Sequence, residues 1–176
     1  RFFLRWNKGD PEGRLQFVEW FKELLLKHQQ HQVIIFGPYF EDAGLGLVLL
    51  SAASETDYIV FTSLPKQVKE SEATPAESDK PTLNRIDNLL ANCEHSRHLI
   101  RRFKLRIYGL KEGQLHDRYI LIFGSDGLPV AGFNLSNSLQ AAAQYHPLLI
   151  TPIPTDVLLK VKQYTFGLLQ EVAQPD

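Results

Sequence analysis

The sequence predicts an α/β fold, a mixed sheet held between helical layers, and three observations carry that expectation. Short β-rich apolar runs alternate with longer stretches whose apolar residues recur at spacings of three and four. An early strand, helix, strand succession implies a parallel crossover. Three closely spaced strand candidates in the second half then require a sheet larger than one crossover, covered by helices on its faces.

In chain order, Arg14 to Gln29 sets Leu15, Val18, Phe21, Leu24 and Leu25 on one stripe, an amphipathic cover helix. Gln32 to Phe40 is a short apolar strand ended by the Gly37-Pro38 breaker, with Glu41 and Asp42 following it. Ala43 to Ala53 predicts an apolar helix and Asp57 to Thr62 a second strand. From Pro65 to Pro81 the composition turns to Lys, Glu, Ser, Ala and Pro with no apolar period, which predicts a mobile loop. Helical spacing returns through Leu83, Ile86, Leu89 and Leu90 and ends in a basic stretch with Arg97, His98, Arg101 and Arg102. Lys104 to Leu110, Arg118 to Phe123 and Pro129 to Phe133 are the three clustered strands. A short helix over Ser136 to Gln144, a strand over His146 to Ile153 and a closing helix from Thr155 to Ala173, capped by Thr155 or Asp156, complete the pattern.

At 176 residues, 44% hydrophobic and 22% charged, the chain is expected to fold as one domain over 1–176. A net charge of −1 gives no global basic field, so any nucleic-acid partner must be met by a local patch. The single cysteine, Cys93, excludes an intramolecular disulfide framework and fits a cytoplasmic location. No apolar run approaches the roughly 18 residues that span a bilayer, and the first residues lack a signal-peptide pattern, so no membrane partner is expected. The chain opens on Arg-Phe-Phe-Leu and contains no methionine, as expected of a piece of a longer protein or of a processed terminus.

The chemistry is concentrated in Leu115-His-Asp-Arg-Tyr-Ile-Leu-Ile-Phe-Gly124 and Val130-Ala-Gly-Phe-Asn-Leu-Ser-Asn-Ser138. On a strand, residues two apart share a face, so His116 and Arg118 are expected to project together while Asp117 faces away. An imidazole beside a guanidinium suits phosphoryl chemistry: the ring nitrogen can attack phosphorus, and the fixed cation steadies the equatorial oxygens. Asn134, Ser136 and Ser138 follow the next strand, where small residues, neutral donors and a helix N-terminus would admit a phosphate.

These residues resemble the phospholipase D superfamily signature, His-x-Lys, four residues, Asp, and then Gly-Ser-x-Asn. His116 stands at the family's nucleophilic histidine, Arg118 at its lysine and Asn134 at its asparagine, with Ser136 as the hydroxyl often found there. The resemblance is closest to the small, single-motif bacterial endonuclease branch, including proteins with His-Asp-Arg. It departs from the pattern at Phe123, where the family has an aspartate, at Gly132, where it has a serine, and at Tyr145, where the endonuclease branch has a glutamate that orients the histidine.

The resemblance implies a phospholipase D-like fold and a phosphodiesterase, more specifically a nuclease, that works through a phosphohistidine and needs no metal or other cofactor. It implies His116, Arg118, Asn134 and Ser136 as catalytic residues, with Arg118, Asn134 and Ser136 also binding substrate; Ser138 in the turn and Arg101 and Arg102 of the basic stretch are expected to add to substrate binding. Members need two histidine motifs and this chain has one, so the expected partner is a second copy in a homodimer or a half-site elsewhere in a larger protein, with DNA or RNA as substrate. His146, Asp117 and Glu41 are the candidates to orient His116 in place of the missing acid.

Plainer readings stand beside these. A His-x-Arg pair can be an exposed strand edge, and Asn134 to Ser138 can be a helix cap. The basic stretch Arg97, Arg101, Arg102, Lys104 and Arg106 can be a solvated face, and Cys93, His95 and His98 form an incomplete zinc set. A second functional expectation is a binding or scaffolding module that kept the fold and lost the chemistry, within a larger bacterial assembly of the kind that defends against phage.

Overall fold

The structure, a computed structural model, describes residues 2–3, 12–29, 31–53, 55–63, 104–111, 113–139 and 147–173. Within them the elements run β1 (Phe2–Phe3), α1 (Glu12–Lys27), β2 (Gln32–Phe36), α2 (Asp42–Ser51), β3 (Asp57–Ser63), β4 (Leu105–Leu110), β5 (Tyr119–Phe123), β6 (Pro129–Leu135), β7 (Leu148–Pro152) and α3 (Thr155–Ala173). The seven strands form one sheet in the order β1-β7-β6-β5-β2-β3-β4. β2, β3 and β4 are parallel neighbours, and the remaining pairings are antiparallel, so the sheet is mixed as the sequence predicts.

Side-chain alternation divides the central strands between two cores. Val33 and Ile35 of β2, Tyr58 and Val60 of β3, and Ile120 and Ile122 of β5 pack on one face against Phe17, Phe21, Leu24 and Leu25 of α1 and Leu45 and Val48 of α2. Their neighbours Ile34, Phe36, Ile59, Phe61, Leu121 and Phe123 pack on the other face with Leu158 and Leu168 of α3. Burial on both faces explains why these strands read as continuous apolar runs rather than as alternation. The two helices α1 and α2 also touch each other, and within α1 Phe17 stacks on Phe21 at 5.7 Å between ring centroids.

Several boundaries differ from the sequence reading for local reasons. β2 stops at Phe36 because the chain turns over 37–40, where the Phe40 N–H donates to the Gly37 carbonyl at 3.0 Å. β6 continues past Phe133 to Leu135, since the Leu135 N–H still donates to the Arg118 carbonyl at 3.0 Å. Residues 136–139 form bends and a turn rather than the opening of a helix, with the Ser138 N–H donating to Asn137 Oδ1 at 3.0 Å. α3 is helical from Thr155 itself, and the N–H of Leu158 donates to Pro154 O at 3.1 Å. Pro154 therefore holds the cap position given above to Thr155 or Asp156, and Asp156 sits instead in the first turn, where its charge complements the helix dipole. The loop expected over 65–81, the helix over 81–102 and the rest of the short helix, 140–144, lie outside the described residues.

Candidate functional site

The motif segment is pinned from both ends. Leu115 is buried in the core beneath α3, and β5 begins at Tyr119, so His116, Asp117 and Arg118 form an extended lead-in between an apolar anchor and the sheet. Because the strand starts three residues after His116, the strand alternation expected to align His116 with Arg118 does not extend to the histidine. His116 and Asp117 are exposed and Arg118 is half-buried. The Arg118 guanidinium carbon lies 6.0 Å from the ring centroid of Tyr39, in the turn after β2. Its Nε is fully buried and has no hydrogen-bond partner among the described residues.

Beyond this lead-in, Tyr119 of β5 pairs with Asn134 of β6 across the antiparallel ladder. The Tyr119 ring meets Phe36 edge-on at 6.0 Å. Burial pushes its phenol up to about 12, and the hydrogen bond to Asp117, the charge of that carboxylate and Tyr164 push in the same direction. Tyr164 of α3 is raised too, by burial first and then by Asp117 and Glu171, and its hydroxyl donates to the Gln114 carbonyl at 3.1 Å. Asp117 is thus engaged with two phenols on the α3 side of the sheet.

Ser136 closes the end of β6. Its N–H donates to the Leu149 carbonyl at 3.0 Å, and its Oγ accepts the Leu149 N–H at 2.9 Å, so the hydroxyl proton stays available to a ligand. Between these strands and the start of α3 opens a cleft of about 460 Å³, lined by Tyr119, Asn134, Ser136, Leu149, Thr151, Pro152, Ile153, Pro154, Val157 and Val161. None of these side chains is charged. Gly132 lies on the same face, close under the helix: a Cβ there would overlap Leu158 Cδ2 and come within 3.1 Å of Leu121 Cδ2 and 3.3 Å of Ile153 Cδ1.

The structure therefore brings Asn134 and Ser136 together in one cleft, whose lining does not include His116 or Arg118. Ser138 is buried beside them in the turn. Of the three groups that could orient His116, Asp117 is exposed and its carboxylate acts on the Tyr119 phenol, Glu41 is exposed and makes no side-chain capping bond on α2, and His146 lies outside the described residues. Arg101, Arg102, Tyr145 and the Cys93, His95 and His98 set lie outside them as well. Among the described residues no three His, Cys, Asp or Glu side chains gather as a metal site.

Two of the departures from the phospholipase D pattern have a packing explanation. Phe123 is buried and meets Phe166 of α3 edge-on at 6.0 Å, a position where an aspartate would be stranded in the core. Gly132 gives the helix its close approach. Sequence reasoning missed Tyr119, Tyr164 and Tyr39. Tyr119 had a signal, since it follows Arg118 directly, whereas nothing local ties Tyr39 or Tyr164 to the motif.

No family model matches the chain, and no curated protein does. Among solved structures, the chain is similar to the crystal structure of a histidine-to-alanine mutant of yeast tyrosyl-DNA phosphodiesterase, at 11% identity and a TM-score of 0.42. The alignment covers 93% of this chain and 37% of that one. No described helix is long and apolar enough to cross a membrane. With so distant a likeness, function must be argued from the chain's own residues.

Proposed function

We propose that the chain is one half of a phospholipase D-like, metal-independent phosphodiesterase, acting on nucleic acid through His116. The observation that carries this reading is Arg118: a guanidinium half-buried beside Tyr39 with one buried donor left unpaired. A native structure leaves such a donor unsatisfied at a cost of about 1–3 kcal/mol unless something else receives it, and a phosphate oxygen is the natural acceptor. Asn134 and Ser136, at the end of the neighbouring strand, supply neutral donors of the kind that steady a phosphoryl group.

In the first step a His116 ring nitrogen attacks phosphorus, the bond to the leaving oxygen breaks, and a proton from the second half-site goes to that oxygen. Water then attacks the phosphohistidine, giving up its proton to the same group, and the phosphate monoester leaves with the imidazole restored. A second copy of this chain related by a twofold axis, or another part of a longer protein, would supply that group.

Incubation of the protein with DNA, RNA and bis(4-nitrophenyl) phosphate, with and without chelator, tests the reading. Expected are cleavage indifferent to chelator, an acid-labile phosphoprotein on rapid quenching, and loss of both in His116→Ala. Cleavage that survives this substitution, or none on any substrate, defeats it.

A second reading is favoured by Phe123 and Gly132, whose positions serve helix packing, and by Asp117, which engages Tyr119 rather than His116. On that reading the chain is a binding or scaffolding module that holds phosphate without turning it over, in a larger bacterial assembly with a role in defence. Phosphate-ester binding that weakens in Arg118→Ala, without hydrolysis, is its signature.

A further inference from the structure

We infer that Tyr164 of α3 is a positioning residue for His116, fixing the backbone that carries the imidazole rather than the ring itself. The inference rests on the phosphodiesterase reading above and deepens it by naming what holds the histidine in place. His116 is exposed, and among the described residues its ring makes no hydrogen bond or ion pair. Its neighbours in the chain, by contrast, are held. The Tyr164 hydroxyl donates to the Gln114 carbonyl at 3.1 Å, two residues before the histidine. Leu115 is buried in the core with Leu158 and Leu168 of α3. After the histidine, the Asp117 carboxylate acts on the phenols of both Tyr119 and Tyr164.

Both ends of this tether are built in. The Tyr164 ring stacks on Phe36 of β2, with 6.2 Å between centroids and 29° between planes, and Phe36 stacks in turn on Phe61 of β3 at 5.0 Å. Aromatic packing therefore aims the hydroxyl before the lead-in meets it. At the other end the Gln114 N–H donates to the Lys111 carbonyl at 3.1 Å and its Oε1 accepts the Lys111 N–H at 2.9 Å, which closes a turn just after β4. Arg118 is fastened differently. Its carbonyl accepts the Leu135 N–H of β6 at 3.0 Å, and its guanidinium lies by Tyr39 in the turn after β2. The nucleophile and the cation that receives the phosphate thus hang from separate supports, α3 for one and the sheet for the other. Releasing the first lets His116 drift from phosphorus while Arg118 stays, so the loss falls on turnover and not on binding.

Tyr164→Phe tests this, because it keeps the ring on Phe36 and removes only the hydroxyl. Three quantities are compared in the parent protein and the variant: backbone order parameters from nitrogen relaxation, affinity for inorganic phosphate, and steady-state hydrolysis of bis(4-nitrophenyl) phosphate. Order parameters at 116 and 117 should fall from the rigid range of about 0.85 toward about 0.6, while those of β5 and α3 stay where they were. Phosphate affinity should be unchanged. The kcat should fall roughly tenfold or more, with KM altered by less than about twofold. Order parameters that do not move at 116 and 117 overturn the inference, and so does loosening spread evenly over α3 and β5, the mark of a purely structural role. Local loosening with kcat intact, or a loss confined to KM, overturns it as well. In a parent protein that hydrolyses nothing the catalytic reading falls; loosening confined to 116 and 117 with phosphate affinity unchanged then supports Tyr164 as the support of His116, and any other result overturns both.

Discussion

The two faces of the sheet are covered differently, and the difference locates the site. On one face α1 and α2 pack on the sheet and on each other, and the core from Phe21 to Tyr58 is closed. On the other face α3 is the one helix among the described residues that packs on the sheet. It buries Leu158 and Leu168, but beside its first turns the ends of β6 and β7 stay open. Among the described residues the groove runs along the flank of α3. Polar groups that a closed core would penalise, such as the Tyr119 phenol, Asn134 and Ser136, occur on the open side.

The largest effect expected from breaking this contrast lies in the sealed face. Phe21→Ala empties a fully buried ring site between α1, α2 and the sheet, and should cost about 3–5 kcal/mol, read from urea unfolding. Because the helices share that core, protection from hydrogen exchange should fall in α1 and α2 together while α3 is less affected.

A smaller loss is expected where α3 touches the sheet. Gly132→Val brings a branched side chain against Leu158, Leu121 and Ile153, and should cost about 1–3 kcal/mol as α3 is displaced. Its sharper readout is the cleft, since Ile153 and Val157 move with the helix and the binding of a phosphodiester should weaken. Unchanged stability and binding would mean that α3 is not seated on Gly132.

The smallest effect concerns pH. The Tyr119 phenol is held at about 12 in the folded chain, against an ordinary value near 10. Its neutral form is the one the fold favours, so this contribution is complete below about pH 10 and is lost as pH rises through 12, because the unfolded chain gives up the proton first. In Tyr119→Phe the decline in stability between pH 10 and 12 should be shallower than in the parent protein. Equal slopes would detach the phenol from Asp117 and from the burial that raises it.

Much of the fold was legible in the sequence. Phe21, Leu24 and Leu25 at helical spacing gave α1, and the runs at Val33 and Tyr58 gave a parallel pair about a crossover, because backbone hydrogen bonding and burial are local consequences of apolar pattern. Asn134 and Ser136 were visible by their types at a strand end. Their neighbour Tyr119 was marked only by following Arg118, and its place beside Asn134 depends on which residue stands opposite it in the ladder.

By itself the sequence determined the mixed α/β architecture and set polar residue types of the kind that suit an anion around Arg118 and Asn134, since each follows from periodicity or from side-chain chemistry. Tertiary structure decided the rest. It set where β5 begins and so left His116 in an exposed lead-in, paired Asp117 with Tyr119, and placed Leu158 so close that position 132 admits no side chain without rearrangement. These depend on distances between elements far apart in the chain, which no local pattern encodes. The same long-range packing sets the first turns of α3 beside the ends of β6 and β7 and leaves a cleft beside Asn134.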